Sequence, residues 1–405
     1  MDLLFITTQF PYPLDNGGKI GAFNGISVVS DLYNVTVLSF TENPEIIDEG
    51  ILYFKRVLPN VTFHKPVIHD IHIRKKPLKL IRVMIHNYLH NLPYVIAKFE
   101  DANMYKRINA LFANGRIWDA VFIDYLNMSV YGRYIRSRYG HQCKHFIFKD
   151  HNREYELVRQ EAEKSSGLKS WLLSFEWKRT LKYEIETIQN AELVFSVCDE
   201  NTNFCKKYNA NAYTMLPTYD MLPSPERAAK PGNGIIYIGN LSWSANLEGL
   251  TWFVDHVLAK IRQAVPDATL TVVGSGLDSN PFHCKAGIDY RGYIKDISKI
   301  YLDQKVFIVP LFLGSGIRIK ILDAFNNEIA VVSTRLGCGT INAVNGRHLF
   351  IADTEAEFSE AVIRLLRDDG LNHTLIASAK DFLRDQYSLT SRRKEFEDIV
   401  GTVFQ

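Results

Sequence analysis

Cysteine is scarce in this 405-residue chain: Cys143, Cys198, Cys205, Cys284 and Cys338 are few, odd in number and scattered. No C-x-x-C pair occurs, which argues against a zinc site, a thioredoxin-like centre or a disulfide scaffold and favours a reducing compartment. Long apolar runs are also missing, and none approaches the roughly 18 residues that a membrane-spanning helix needs. The opening MDLLFITTQFPYP holds a short run between Asp2 and the prolines Pro11 and Pro13, and reads as a buried strand rather than a signal peptide. A cytoplasmic protein is expected. There is no excess of one charge either, since 47 basic and 45 acidic residues leave a net +2. Low-complexity tracts and short repeats are absent. A content of 46% hydrophobic and 23% charged residues excludes a disordered chain or a collagen-like rod. The length suits two or three domains.

The small net charge conceals one basic segment. Residues 65–98 carry Lys65, Arg74, Lys75, Lys76, Lys79, Arg82 and Lys98 against Asp70 alone, a local +6 that leaves the rest of the chain at −4. Within 74–90, Lys75, Lys79, Arg82, His86 and His90 share one helical face, while Leu78, Ile81, Ile85 and Leu89 share another. Such a helix can lie on an anionic bilayer or simply pack on its own domain. Nucleic acid is not an expected partner, because the basic residues form one short element in an otherwise acidic chain.

Short β-rich runs alternate with longer helical stretches. The first series is 3–10, 34–40, 61–67, 118–126, 144–150 and 192–198; the second is 234–240, 268–274, 288–294, 305–311, 329–334 and 348–354. Most are apolar on both faces and bounded by Gly, Asn, Asp or Pro, as parallel strands covered by helices are. Twelve strands are too many for one ordinary sheet, and 216–232 holds four prolines without apolar periodicity. The expected fold class is therefore α/β, with two Rossmann-like doubly wound domains facing across a cleft. The expected boundaries are 1–215, a linker over 216–232, and 233–387.

Two loops stand out. After the first strand, Asn16-Gly17-Gly18 reads as a turn before a helix whose free N–H groups suit an anion, although an ordinary strand–helix loop would look the same. It is not G-x-G-x-x-G, and VVGSGLDSN (272–280) fails the same test, so a nicotinamide or flavin enzyme is not indicated. After KVFIVPL comes FLGSGIRIKILDAF, in which Gly314, Ser315 and Gly316 form a phosphate cradle at a helix start. Arg318 and Lys320 follow in the first turn, where cations oppose the helix dipole unless an anion faces them. Asp323 lies one turn further on, where a carboxylate can bind a diol. Together these suggest a nucleotide diphosphate; the plainer alternative is a solvated helix start with an Arg/Lys–Asp pair.

The ordered set IGNLSWSANLEGLTWF, RGYIKDISKIYLDQKVFIVPL, GSGIRIKILDAF and VVSTRLGCGTI resembles the C-terminal half of GT-B glycosyltransferases of family 4. QFPYPLDNGGKI, KDHNREYE and VFSVCDEN agree with the N-terminal half, so the resemblance spans essentially the whole chain. It implies a retaining, metal-independent enzyme that uses a UDP- or GDP-linked sugar donor and a glycan or lipid-linked acceptor in surface-polysaccharide assembly. It places Gly17, Gly18 and Lys19 at the donor phosphates and acceptor, and Arg318 and Lys320 at the diphosphate. Gly292, Tyr293 and Ile294 fall at the base, and His151 near the transferring sugar. Of the family's carboxylate pair, the first position is Ser315 here and the second is Asp323. Asn240 stands near the place where many members carry an arginine, which throws more of the charge neutralisation onto Arg318 and Lys320. Asp150, Glu154 and Asp124 are further polar candidates for the acceptor. The GT-B fold also implies that the last helix, 388–405, returns to the first domain.

In such a reaction the diphosphate leaves, an oxocarbenium-like centre forms, and the acceptor attacks from the same face. The protein then works by positioning and charge stabilisation. The absence of an Asp-x-Asp motif suits an enzyme needing neither metal nor other cofactor. The competing readings are a nucleotide-sugar epimerase, which the Ser315 and Asp323 pattern does not favour, and a degenerate sugar-nucleotide binder or scaffold.

Overall fold

Strand 1 (β1, Asp2–Ile6) buries Leu3, Leu4, Phe5 and Ile6 completely, so it can only be a central strand covered on both faces. The computed structural model describes residues 1–14, 17–69, 92–219, 232–276, 282, 285–294, 297, 299–313 and 318–404. The basic stretch 74–90, the Gly314-Ser315-Gly316 cradle and most of the expected linker lie outside these residues.

The chain divides into two compact units, Met1–Thr218 with Leu389–Gln405, and Tyr219–Ser388. Strands of the first unit are β1, β2 (Asn34–Leu38), β3 (Phe40–Thr41), β4 (Val61–Phe63), β5 (Val67–Ile68), β6 (Trp118–Asp124), β7 (Cys143–Asp150), β8 (Leu193–Ser196) and β9 (Ala212–Thr214). Seven of them form one sheet in the order β4-β2-β1-β6-β7-β8-β9, and β3 pairs with β5 alongside. Every pairing is parallel. Leu3 and Phe5 pack with Ile26 and Phe396 on one face, while Leu4 and Ile6 join the cluster holding Ile108 and Tyr131 on the other. Helices on both faces of a parallel sheet are the doubly wound arrangement expected from the sequence.

The second unit carries β10 (Gly234–Ile238), β11 (Thr269–Val273), β12 (Ile288–Gly292), β13 (Gln304–Val309), β14 (Ala330–Ser333) and β15 (Phe350–Ile351). Their order, β12-β11-β10-β13-β14-β15, is again wholly parallel. In both sheets the first strand lies between a strand that follows it directly and one that comes much later. That reversal is a topological switch point, and ligands of such sheets bind beyond the strand C-termini there.

Some elements differ from expectation for local reasons. The run 61–67 splits into β4 and β5 around Pro66, which has no N–H for a ladder. The edge strand β9 spans three residues, too short to signal itself. The C-terminal helix Leu389–Val403 belongs to the first unit, where the Arg393 Nε donates to the Ser27 carbonyl at 3.1 Å and Phe396 is buried against Phe195.

Candidate functional site

In the second unit the polar groups gather where β10 and β13 end. The helix Ile319–Asn326 starts there, with buried Arg318 as its N-cap residue and Lys320 in its first turn. The Lys320 Nζ donates to Asn246 Oδ1 at 3.3 Å and stands 5.0 Å from the Tyr237 ring centroid. Asn246 is itself fixed, its amide donating to the Asn240 carbonyl at 2.8 Å. Gly239 makes this approach feasible: a Cβ there would meet the Tyr237 hydroxyl at 2.8 Å and Lys320 Nζ at 3.1 Å. Burial, with the Arg318 charge adding to it, pulls the Lys320 ammonium down to about 7. Among the described residues Lys320 has no carboxylate partner. A buried and a half-buried cation at a helix N-terminus, where unpaired N–H groups point outward, form a place that an anion would stabilise.

Asp323 behaves differently from the sequence expectation. Its Oδ1 accepts from the Tyr219 hydroxyl and its Oδ2 from Tyr301 at 2.6 Å. Both carboxylate oxygens are therefore engaged inside the unit, and burial with the Asp323 charge drives both phenols far above their usual range. Of the residues expected at the base, Gly292 ends β12 with φ +63°, and its carbonyl accepts from Gly274 N–H at 2.8 Å. Tyr293 stands largely in solvent and Ile294 is half-buried.

In the first unit, Gly17 and Gly18 lie inside the helix Gly17–Val29 rather than in a turn ahead of it. They form its first turn, so their own N–H groups are among the free ones. Lys19 lines a cavity of about 350 Å3 with Gln9, Phe10, Glu42, Asn43 and His69.

His151 follows β7 and sits against Asp124, the last residue of β6. Its Nε2 lies 2.6 Å from Asp124 Oδ1, and the Thr7 hydroxyl donates to Asp124 Oδ2 at 2.7 Å. The ring stacks on Tyr125, 3.7 Å between centroids and 7° from parallel. Gly21 closes the other side, where a Cβ would come within 3.2 Å of the imidazole. Burial lowers the His151 pKa, Lys149 adds to this, and Asp124 opposes it. Burial would raise the Asp124 carboxyl, but the charge and hydrogen bond of His151, with Lys149 and Thr7, hold it below its usual value. An ionised Asp124 receiving Nε2–H leaves Nδ1 as an acceptor on the neutral ring.

Asp124 is fully buried and taken up by Thr7 and His151, so it fixes the orientation of the imidazole. Asp150 is the last residue of β7. It is fully buried, with Oδ2 accepting from Asn201 at 3.3 Å and no hydrogen-bond partner for Oδ1 among the described residues. Burial first, then the Glu154 charge, pushes it up to about 8. Buried Glu184 faces the same environment and is raised well above the usual range, and Glu154 is raised too.

Asn246, Tyr237, Gly239 and Thr7 were not signalled as site residues. Gly239, next to last in the GIIYIGN run, was the available clue; the others are brought in only by the fold.

Residues 232–368 match the family described as "Glycosyl transferases group 1". Across 95% of its length the chain is 23% identical to a Klebsiella pneumoniae protein described as "Uncharacterized 44.6 kDa protein in cps region", covering 96% of that protein. Similar solved structures include sucrose-phosphate synthase from Thermosynechococcus elongatus, with TM-score 0.66, 12% identity and coverage of 100% of this chain and 99% of that one. Anabaena HepE in complex with UDP has TM-score 0.63 and 11% identity, covering 99% of this chain and all of that one. Staphylococcus aureus TarM, in complex with UDP and other ligands, has TM-score 0.64 and 10% identity over 98% and 99%. The two parallel-sheet units therefore have the GT-B glycosyltransferase fold.

Proposed function

We propose that this chain is a retaining, metal-independent glycosyltransferase of family 4 that transfers a sugar from a UDP-linked donor to a glycan or lipid-linked acceptor in surface-polysaccharide biosynthesis. The observation carrying the reading is Lys320: a half-buried ammonium without a carboxylate partner among the described residues, beside buried Arg318 at a helix N-terminus. A diphosphate supplies the missing counter-charge. The family match over 232–368, the relative from a cps region and the UDP complex of HepE support the same direction.

In this reading the second unit holds the donor. Lys320, Arg318 and the helix N-terminus stabilise the charge that grows on the diphosphate as the glycosidic bond breaks. The main-chain groups of Gly292, Tyr293 and Ile294 meet the base, and Gly314, Ser315 and Gly316 meet the phosphates. The first unit presents His151, aligned by Asp124, to a sugar hydroxyl through Nδ1, and Gly17, Gly18 and Lys19 to the phosphates and acceptor. The leaving phosphate takes the acceptor proton. The protein acts in the cytoplasm and contacts anionic membrane through 74–90. Among the described residues, no helix is long and apolar enough to cross a membrane.

Asp323 favours a second reading, a sugar-nucleotide binder without transfer, because both its oxygens are engaged by tyrosines. One assay separates the two: a panel of UDP- and GDP-sugars with a lipid-linked glycan acceptor, with and without EDTA. Transfer from a UDP-sugar that survives EDTA and is lost in Lys320→Ala supports the enzyme. Nucleotide binding without transfer from any donor supports the binder.

A further inference from the structure

Four large apolar side chains on one helix stand in solvent. Leu168, Trp171, Leu172 and Phe175 are 72%, 66%, 46% and 62% exposed, at the start of the helix Gly167–Gln189. Spacings of three and four residues put them on one face. Soluble surfaces rarely leave such a patch without a use.

The same face turns basic one turn later. Lys178, Arg179 and Lys182 follow the apolar group, with the Arg179 guanidinium 6.0 Å from the Phe175 ring. Arg179 also pairs with Glu176 at 3.3 Å, and Lys169 with Glu161 at 3.3 Å. Lys178 and Lys182 are exposed and meet no carboxylate among the described residues. An aromatic and aliphatic group flanked by unneutralised lysines is complementary to an anionic lipid surface. Trp and Phe favour the headgroup–acyl boundary, and lysines favour the phosphate level. A second copy docked through this same face would bring the same cations, and so supplies no counter-charge.

We propose that this face docks on an anionic lipid surface, with Trp171 and Phe175 entering the boundary and Lys178 and Lys182 meeting lipid phosphates. Docking here needs neither the transferase reading nor the contact assigned to 74–90, because it is measured without donor or acceptor.

The test is flotation of the full chain with phosphatidylcholine vesicles, either pure or containing phosphatidylglycerol. The wild type should float with the anionic vesicles and not with the neutral ones. The pairs Trp171→Ser/Phe175→Ser and Lys178→Glu/Lys182→Glu should each weaken binding about tenfold or more, since each removes one of the two attractions. Melting temperatures should stay unchanged, and so should any shift on adding UDP. That last reading keeps a failure of docking distinct from a failure of nucleotide binding. The proposal is overturned if the wild type stays unbound, if it binds both lipids alike, or if either pair floats like the wild type. It is also overturned if the wild type sediments as a dimer that the Trp171/Phe175 pair dissolves.

Discussion

At the scale of single residues, a cation without an evident counter-charge and a carboxyl that burial keeps protonated respond to pH in different ways. Lys320 belongs to the first kind, for its neighbours are an amide and a ring. Asp150 belongs to the second. Its carboxyl is pushed up to about 8 by burial and by Glu154. The unfolded chain releases this proton near pH 4 while the folded chain keeps it, so folding binds a proton between about 4 and 8 and stability falls across that window as pH rises. In Asp150→Asn the fall should be smaller, as read by urea unfolding at pH 5 and pH 8; equal losses in variant and wild type would refute it. The place of Arg318 and Lys320 at a helix start after a strand was legible in the sequence. The roles of Asp124 and Asp323 were not. Their partners, Thr7 at 117 residues' separation and Tyr219 at 104, are neighbours only once the chain has folded.

At the scale of elements, the strands were the most readable part. A run such as Gln304–Val309, buried at every position, advertises itself by apolar residues on both faces. The short edge strand β9 and the split at Pro66 escaped because edge pairing leaves little pattern to see. The C-terminal helix was placed by the family resemblance rather than by its own sequence. Its anchor is Phe396, buried between Phe195 and Tyr33 at centroid distances of 5.6 and 6.3 Å. Phe396→Ala should cost about 3–5 kcal/mol in denaturant unfolding, the usual range for a buried aromatic truncated in a packed core. A loss under about 1 kcal/mol would mean that the helix contributes little to the first unit.

At the scale of the whole molecule, two similar sheets carry different groups beyond their strand ends. The second holds a cation site beyond the ends of β10 and β13, and the first holds an oriented histidine beyond β6 and β7. Both sites sit where parallel sheets of this topology bind ligands. The central claim is that Lys320 clasps a nucleotide diphosphate, and calorimetric titration of UDP from pH 7.5 to pH 9 tests it directly. UDP is already ionised over that range, its last phosphate pKa being about 6. In the free protein Lys320 is pulled down to about 7, so at higher pH it must take up a proton to meet the diphosphate, and affinity should fall as pH rises. Lys320→Met should bind about tenfold more weakly at pH 7.5 and lose most of that pH dependence. Equal affinity and an equal pH profile in variant and wild type would contradict the account.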